Sequence, residues 1–190
     1  MSRAFVDEDA SASNEAEAPE IKIPIPPGSR NYLTPAGAEA LATELHELTG
    51  KERPKLLTRL AARVATASAP DPDETGRLRR RLGEIDRRIA YLYAMSSLAE
   101  VQQPPPQAGR DRVKFGAYVR VREEAGMETE YRIVGVDEAE PGRGLIGWPS
   151  PLARALVGRG VGERAIVILP GGRQTLTVTA VEYREDPIDP

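Results

Sequence analysis

The sequence contains no cysteine, which excludes a disulfide framework and any thiolate metal site. A single histidine, His46, excludes a histidine-rich metal cluster. Two Phe and one Trp leave little with which to line an aromatic peptide pocket. No apolar run reaches the roughly 18 to 20 residues that a membrane-spanning helix needs. The opening residues lack the charged-then-apolar pattern of a secretory leader, so the expected setting is cytoplasmic, with no membrane partner. A large excess of either charge is missing too. Against 26 Lys and Arg stand 29 Asp and Glu, a formal net charge of -3, so no global basic field marks a nucleic-acid binder.

What is there divides into two unlike halves. The first carries apolar residues at helical spacing: Leu41, Leu45 and Leu48, then Leu57, Leu60 and Val64. A second stripe follows at Leu78, Leu82, Ile85, Ile89 and Leu92, alternating steps of four and three. Such stripes bury themselves against each other, and the expected form is an antiparallel coiled-coil hairpin spanning residues 31–101. Thr34 suits the N-cap and Pro35 the first helical position. Pro54 should bend the first helix near Arg53, and the change of ladder between Leu48 and Leu57 points to a kink or local unwinding there. Residues 1–30 are expected to be a disordered acidic tail, too poor in apolar surface to offset its ordering entropy. Gln102-Gln103-Pro104-Pro105-Pro106-Gln107 begins a stiff linker over 102–110.

Beyond the linker the period changes to two. Segments 118–122, 130–134, 165–169 and 175–181 alternate and are β-branched, and Ser150-Pro151-Leu152-Ala153-Arg154-Ala155-Leu156 reads as one short capped helix. The overall class is α+β: a helical hairpin, then a small antiparallel sheet domain with one short helix over 111–185.

Three groups of residues could carry chemistry. Asp71, Asp73 and Glu74 lie at the hairpin turn. Clustered carboxylates suit a hard cation such as Mg²⁺, to which a tip of this kind could lend a ligand. Acids at a helix start equally serve the dipole. On the second helix Arg77, Arg79, Arg80, Arg81, Arg87 and Arg88 lie mostly off the apolar stripe. They fit nucleic-acid phosphates, or a solvated face paired with Glu84 and Asp86. Trp148, beside Pro149-Ser150-Pro151, suits either an exposed protein interface or a buried anchor for the sheet.

Several motifs, in order and in both halves, resemble the bacterial Gre transcript-cleavage factors, with GreB nearest in pattern. They are Leu33-Thr34-Pro35-Ala36-Gly37, Glu52-Arg53-Pro54, Leu82-Gly83-Glu84-Ile85-Asp86-Arg87-Arg88-Ile89, Phe115-Gly116-Ala117, the run from Tyr131 to Ala139, Ser150 to Leu156, and Val181-Glu182-Tyr183. The resemblance implies an FKBP-like C-terminal domain that docks on RNA polymerase at its secondary channel, in the region of Trp148, Ser150, Pro151, Ala153 and Arg154. It also implies a hairpin that enters the channel and a basic helix that contacts nascent RNA. The short turn and the matched helix lengths favour a monomer, although such apolar stripes can also pair between chains. Two tip acids would share a second Mg²⁺ with the polymerase, so that backtracked RNA is cut. On this reading the chain is not itself an enzyme and holds no cofactor of its own beyond that shared ion. The tip departs from the family pattern Gly-Asp-x-x-Glu-Asn. Here the residues are Ala67-Ser68-Ala69-Pro70-Asp71-Pro72, and an ungapped alignment puts Ser68 at the Asp position and Asp71 at the Glu position. A shifted alignment, with a three-residue gap in the second helix, instead puts Asp71 and Glu74 on the Asp-x-x-Glu spacing as the candidate Mg²⁺ ligands. A non-cleaving channel binder is therefore the alternative. A prolyl isomerase and a coiled-coil adaptor rank below both.

Overall fold

The structure, a computed structural model, describes residues 21–66, 72–169 and 172–184. Strand β1 (Asn31–Leu33) leads into α1 (Pro35–Glu47), a π-helical turn (Leu48–Glu52) and α2 (Arg53–Thr66). Helix α3 (Pro72–Ser97) returns antiparallel and ends in β2 (Ala99–Val101), which pairs in parallel with β1. The direction of return is fixed by ion pairs that climb the two arms in opposite order: Glu44–Arg88, Arg53–Asp86 and Arg63–Glu74.

The π turn corrects the apolar ladder of the first arm. The Arg53 N–H reaches back five residues to the Leu48 carbonyl instead of four. One extra residue is thereby inserted, and everything beyond it turns by about 100°. Leu56, not Leu57, faces α3, with Leu60 beside it; Leu57 and Val64 are exposed, at 38% and 61%. Pro54, which has no N–H to give, stands just past this turn, where the expected break in the helix falls.

Two seams hold the arms together. Leu56, Leu78 and Ile85 form the distal cluster, with Leu60 and Ile89 alongside. At the base, Leu41, Leu92 and Met95 pack with Leu33 and Ile25, with Ile23 against them. The stretch expected to be acidic tail up to residue 30 is thus engaged with the base at Ile23 and Ile25, because alternate isoleucines between prolines can lie along an apolar surface. Residues 1–20 lie outside the described residues.

The second half forms a five-stranded sheet in the order β5-β4-β3-β7-β6. Its strands are β3 (Tyr118–Glu123), β4 (Glu128–Val134), β5 (Leu145–Gly147), β6 (Arg164–Leu169) and β7 (Gly172–Glu182), with α4 (Pro151–Leu156) between β5 and β6. The sheet is mixed rather than wholly antiparallel, because β5 runs parallel to β4. Gly144 makes that connection possible. It adopts a left-handed φ of 75°, and a Cβ there would lie 2.6 Å from the Glu130 carbonyl oxygen. The sheet curls over α4, burying Val119, Val121, Ile133, Val167 and Val178 against Ala153 and Leu156.

Candidate functional site

The arm's far end carries the tip acids. Asp71 lies outside the described residues, as do residues 67–70. Asp73 and Glu74 open α3, where carboxylates favour the positive end of the helix dipole. Glu74 reaches across to the other arm and meets Arg63 at 2.7 Å. Asp73 is engaged with Arg77 one turn on, at 3.4 Å. Among the described residues no three acids or histidines gather as a metal site. Asp73 and Glu74 each face a guanidinium, so a divalent cation at these two residues would compete with Arg77 and Arg63 for their oxygens.

The six arginines separate into two groups. Arg88 is held by Glu44 through two bonds of 2.7 Å and lies 5.1 Å over the Tyr91 ring. The hydrogen bonds from Arg88 pull the Glu44 carboxyl below its ordinary range, despite some burial. Arg81 faces Glu84 at 3.0 Å, and Arg77 faces Asp73. Arg79, Arg80 and Arg87 are exposed, with no partner among the described residues. Arg80 and Arg87 lie seven positions apart, two helical turns, on the face opposite the Leu78–Ile85–Leu92 seam.

At the other end, Ser150 caps α4 by accepting from the Ala153 N–H at 3.2 Å, and Pro151 takes the first helical position. Ala153 is completely buried against the sheet, so it packs the helix and presents nothing to a partner. Pro151 and Arg154 are exposed. Trp148 takes the buried-anchor role. It is half-buried, packs against both the sheet core and the base of the arm, and meets Tyr32 edge-on at 5.4 Å. Sequence reasoning left its two roles open because burial here depends on the other half of the chain.

Trp148 is one part of a joint that sequence reasoning did not find. Glu138, in the loop after β4, accepts hydrogen bonds from the Thr34 N–H at 3.1 Å, the Gly135 N–H at 3.0 Å and the Thr34 hydroxyl. Beside it the Tyr91 hydroxyl donates to Asp137 at 2.8 Å. Burial first, and then this bond to a carboxylate, push the Tyr91 phenol well above its ordinary range. Elsewhere between the halves an open cleft of about 1260 Å³ is lined by Glu39, Glu44 and Glu47 of α1 and by Arg110, Arg132 and Arg184.

A two-helix arm is thus set on a curled-sheet domain through a hydrogen-bonded joint. The sequence comparisons name the class. The model "Transcription elongation factor, N-terminal" matches residues 31–101, and "Transcription elongation factor, GreA/GreB, C-term" matches 107–183. Transcription elongation factor GreB of Neisseria meningitidis serogroup B is 36% identical over 155 residues, covering 82% of this chain and 95% of that one. Transcription elongation factor GreA of Verminephrobacter eiseniae is 39% identical over 153 residues, covering 80% and 97%. Among solved structures, the transcription factor Gfh1 matches at 22% identity and a TM-score of 0.39, covering 80% of this chain and 97% of that one. The chain belongs to the GreA/GreB family of transcription elongation factors, an assignment that rests on the sequence matches. Among the described residues no helix is long and apolar enough to cross a membrane.

Proposed function

We propose that this chain binds RNA polymerase through its C-terminal domain at the rim of the secondary channel, inserts the two-helix arm, and regulates elongation there without stimulating RNA cleavage. The polymerase and its nascent RNA are the partners, and the chain runs no reaction of its own. The observation that carries the non-cleaving reading is the Arg63–Glu74 pair at 2.7 Å, which engages a tip carboxylate across the arm. The sequence points the same way, with Ser68 where the ungapped alignment expects an Asp. Arg79, Arg80 and Arg87 are the cations available to RNA phosphates, and Arg154 is the exposed cation of α4 available to the polymerase.

The test is a cleavage assay on stalled, backtracked elongation complexes, with and without a cleavage-active Gre factor. The chain is expected to bind the complexes, leave cleavage at the polymerase's own rate, and suppress the activity of the added factor. Strong cleavage by this chain that disappears in the triple variant Asp71→Ala, Asp73→Ala, Glu74→Ala would restore the metal-donating reading.

A further inference from the structure

Helix α1 starts with an incomplete motif. In a capping box the N-cap hydroxyl accepts from the backbone N–H of the third helical residue, and a Glu or Gln at that third position reaches back to the N-cap N–H. Thr34 performs the first half: its hydroxyl accepts from the Gly37 N–H at 3.0 Å. The third position is Gly37, which has no side chain to perform the second. The Thr34 N–H is answered instead by Glu138, 104 residues away in the other domain, at 3.1 Å.

The glycine and the distant carboxylate are sterically linked. A Cβ built on Gly37 would lie 2.6 Å from Glu138 Oε1 and closer still to the rest of that carboxylate. Glycine is a poor choice inside a helix on propensity alone. Its value here is the room it leaves for a carboxylate that arrives from outside. Gly135 leaves room on the opposite side, where a Cβ would meet the Tyr32 carbonyl oxygen at 2.9 Å. Asp137, next to Glu138, holds Tyr91 of α3, so adjacent acids of one loop grip both arms of the hairpin.

We infer that Glu138 completes the capping box of α1 in trans and is the positioning residue that fixes the angle between the arm and its docking domain. The Thr34 N–H is then satisfied only while the two domains are docked. The direction of the arm, and with it the reach of the tip, follows from one carboxylate. This deepens the proposed function and rests on it only for the consequence at the polymerase; the joint is a property of the free chain.

The natural absence of cysteine allows a direct test. Spin labels on Arg79→Cys in α3 and Met127→Cys in the exposed β3–β4 turn report the arm-to-domain distance in the full chain without polymerase. The parent should give one narrow distance distribution. Glu138→Ala should broaden it. Gly37→Ala should broaden it too, although alanine is the better helix former, because its methyl group evicts the carboxylate. Glu138→Gln, which keeps an acceptor for the Thr34 N–H, should largely restore the narrow distribution. Emission from Trp148, the single tryptophan, should shift to the red in the two broadened variants, with helical content by circular dichroism retained.

Distributions as narrow as the parent's in both Glu138→Ala and Gly37→Ala would overturn the inference. So would a Glu138→Ala chain that loses its helicity altogether, since the claim confines the loss to the joint. Failure of the chain to bind polymerase would defeat the functional reading and leave these distances unchanged, so the two failures are distinguishable.

Discussion

At the scale of single residues, the decisive question is which charged groups already have partners. Arg154 has an exposed side chain on a capped helix, and Arg154→Glu should weaken binding to core polymerase by about tenfold, or ~1.4 kcal/mol, as a titration would read. Glu44 is engaged by Arg88 with both side chains about two-fifths exposed, so Glu44→Gln should cost less than about 1 kcal/mol in a urea melt near neutral pH. The pH dependence of that loss has a definite sign. The folded chain holds the Glu44 carboxyl below its ordinary 4.5, so the pair stabilises the fold above that pH and the contribution fades as pH falls through the depressed value. Parent and Glu44→Gln should therefore converge in stability in strong acid; a difference that grew on acidification would contradict the pairing. The sequence already disclosed the caps, Thr34-Pro35 and Ser150-Pro151, because capping is decided within four residues. It did not disclose Glu138, whose partner is a hundred residues away. The one available signal was a glycine at the third position after a strong N-cap, where a helix former was expected.

At the scale of elements, the π turn decides which leucines carry the distal seam. Leu56→Ala should destabilise the chain by about 2 kcal/mol or more, because it empties a site packed against Leu78 and Ile85. Leu57→Ala, at a position 38% exposed, should stay under about 1 kcal/mol. Equal effects, or the reverse order, in denaturant melts would mean that the helix runs on without the inserted residue. The ladder at Leu78, Ile85 and Leu92 was legible because it continues unbroken. The one in the first arm was legible only up to Leu48, since a single-residue insertion leaves composition unchanged and rotates everything after it. Strands β1, β2 and β5 escaped notice for a different reason. Each is three residues long, too short for a period to emerge, and each exists because a partner strand is brought beside it. The parallel course of β5 follows from the turn around Gly144, so a reading of four longer strands alone arrives at a wholly antiparallel sheet.

At the scale of the whole molecule, the chain is an arm, a joint and a sheet domain. Their division was visible in the change of period across the proline run, and the way they meet was not. Tyr32 comes from the first half and Asp137, Glu138 and Trp148 from the second, and they gain their roles only when the two halves are docked. The proposed RNA contact belongs to this scale as well. Replacing Arg79, Arg80 and Arg87 together by Ala should weaken association with elongation complexes more than with core polymerase lacking RNA, and should flatten its salt dependence, because phosphate contacts release counterions. Equal weakening in both states would place those arginines against protein instead.

The central claim is that the arm's tip lies inside the polymerase while the sheet domain stays at the channel rim. A photoactivatable cross-linker on Asp73→Cys, in a chain with no other cysteine, tests it most directly. Irradiation of the assembled elongation complex, followed by mapping of the adducts, should find them at the polymerase's catalytic centre and the adjacent RNA 3′ end. A second label at Arg154→Cys should mark only the outer rim. Adducts of the tip confined to the enzyme's outer surface, or none from either position, would contradict the account.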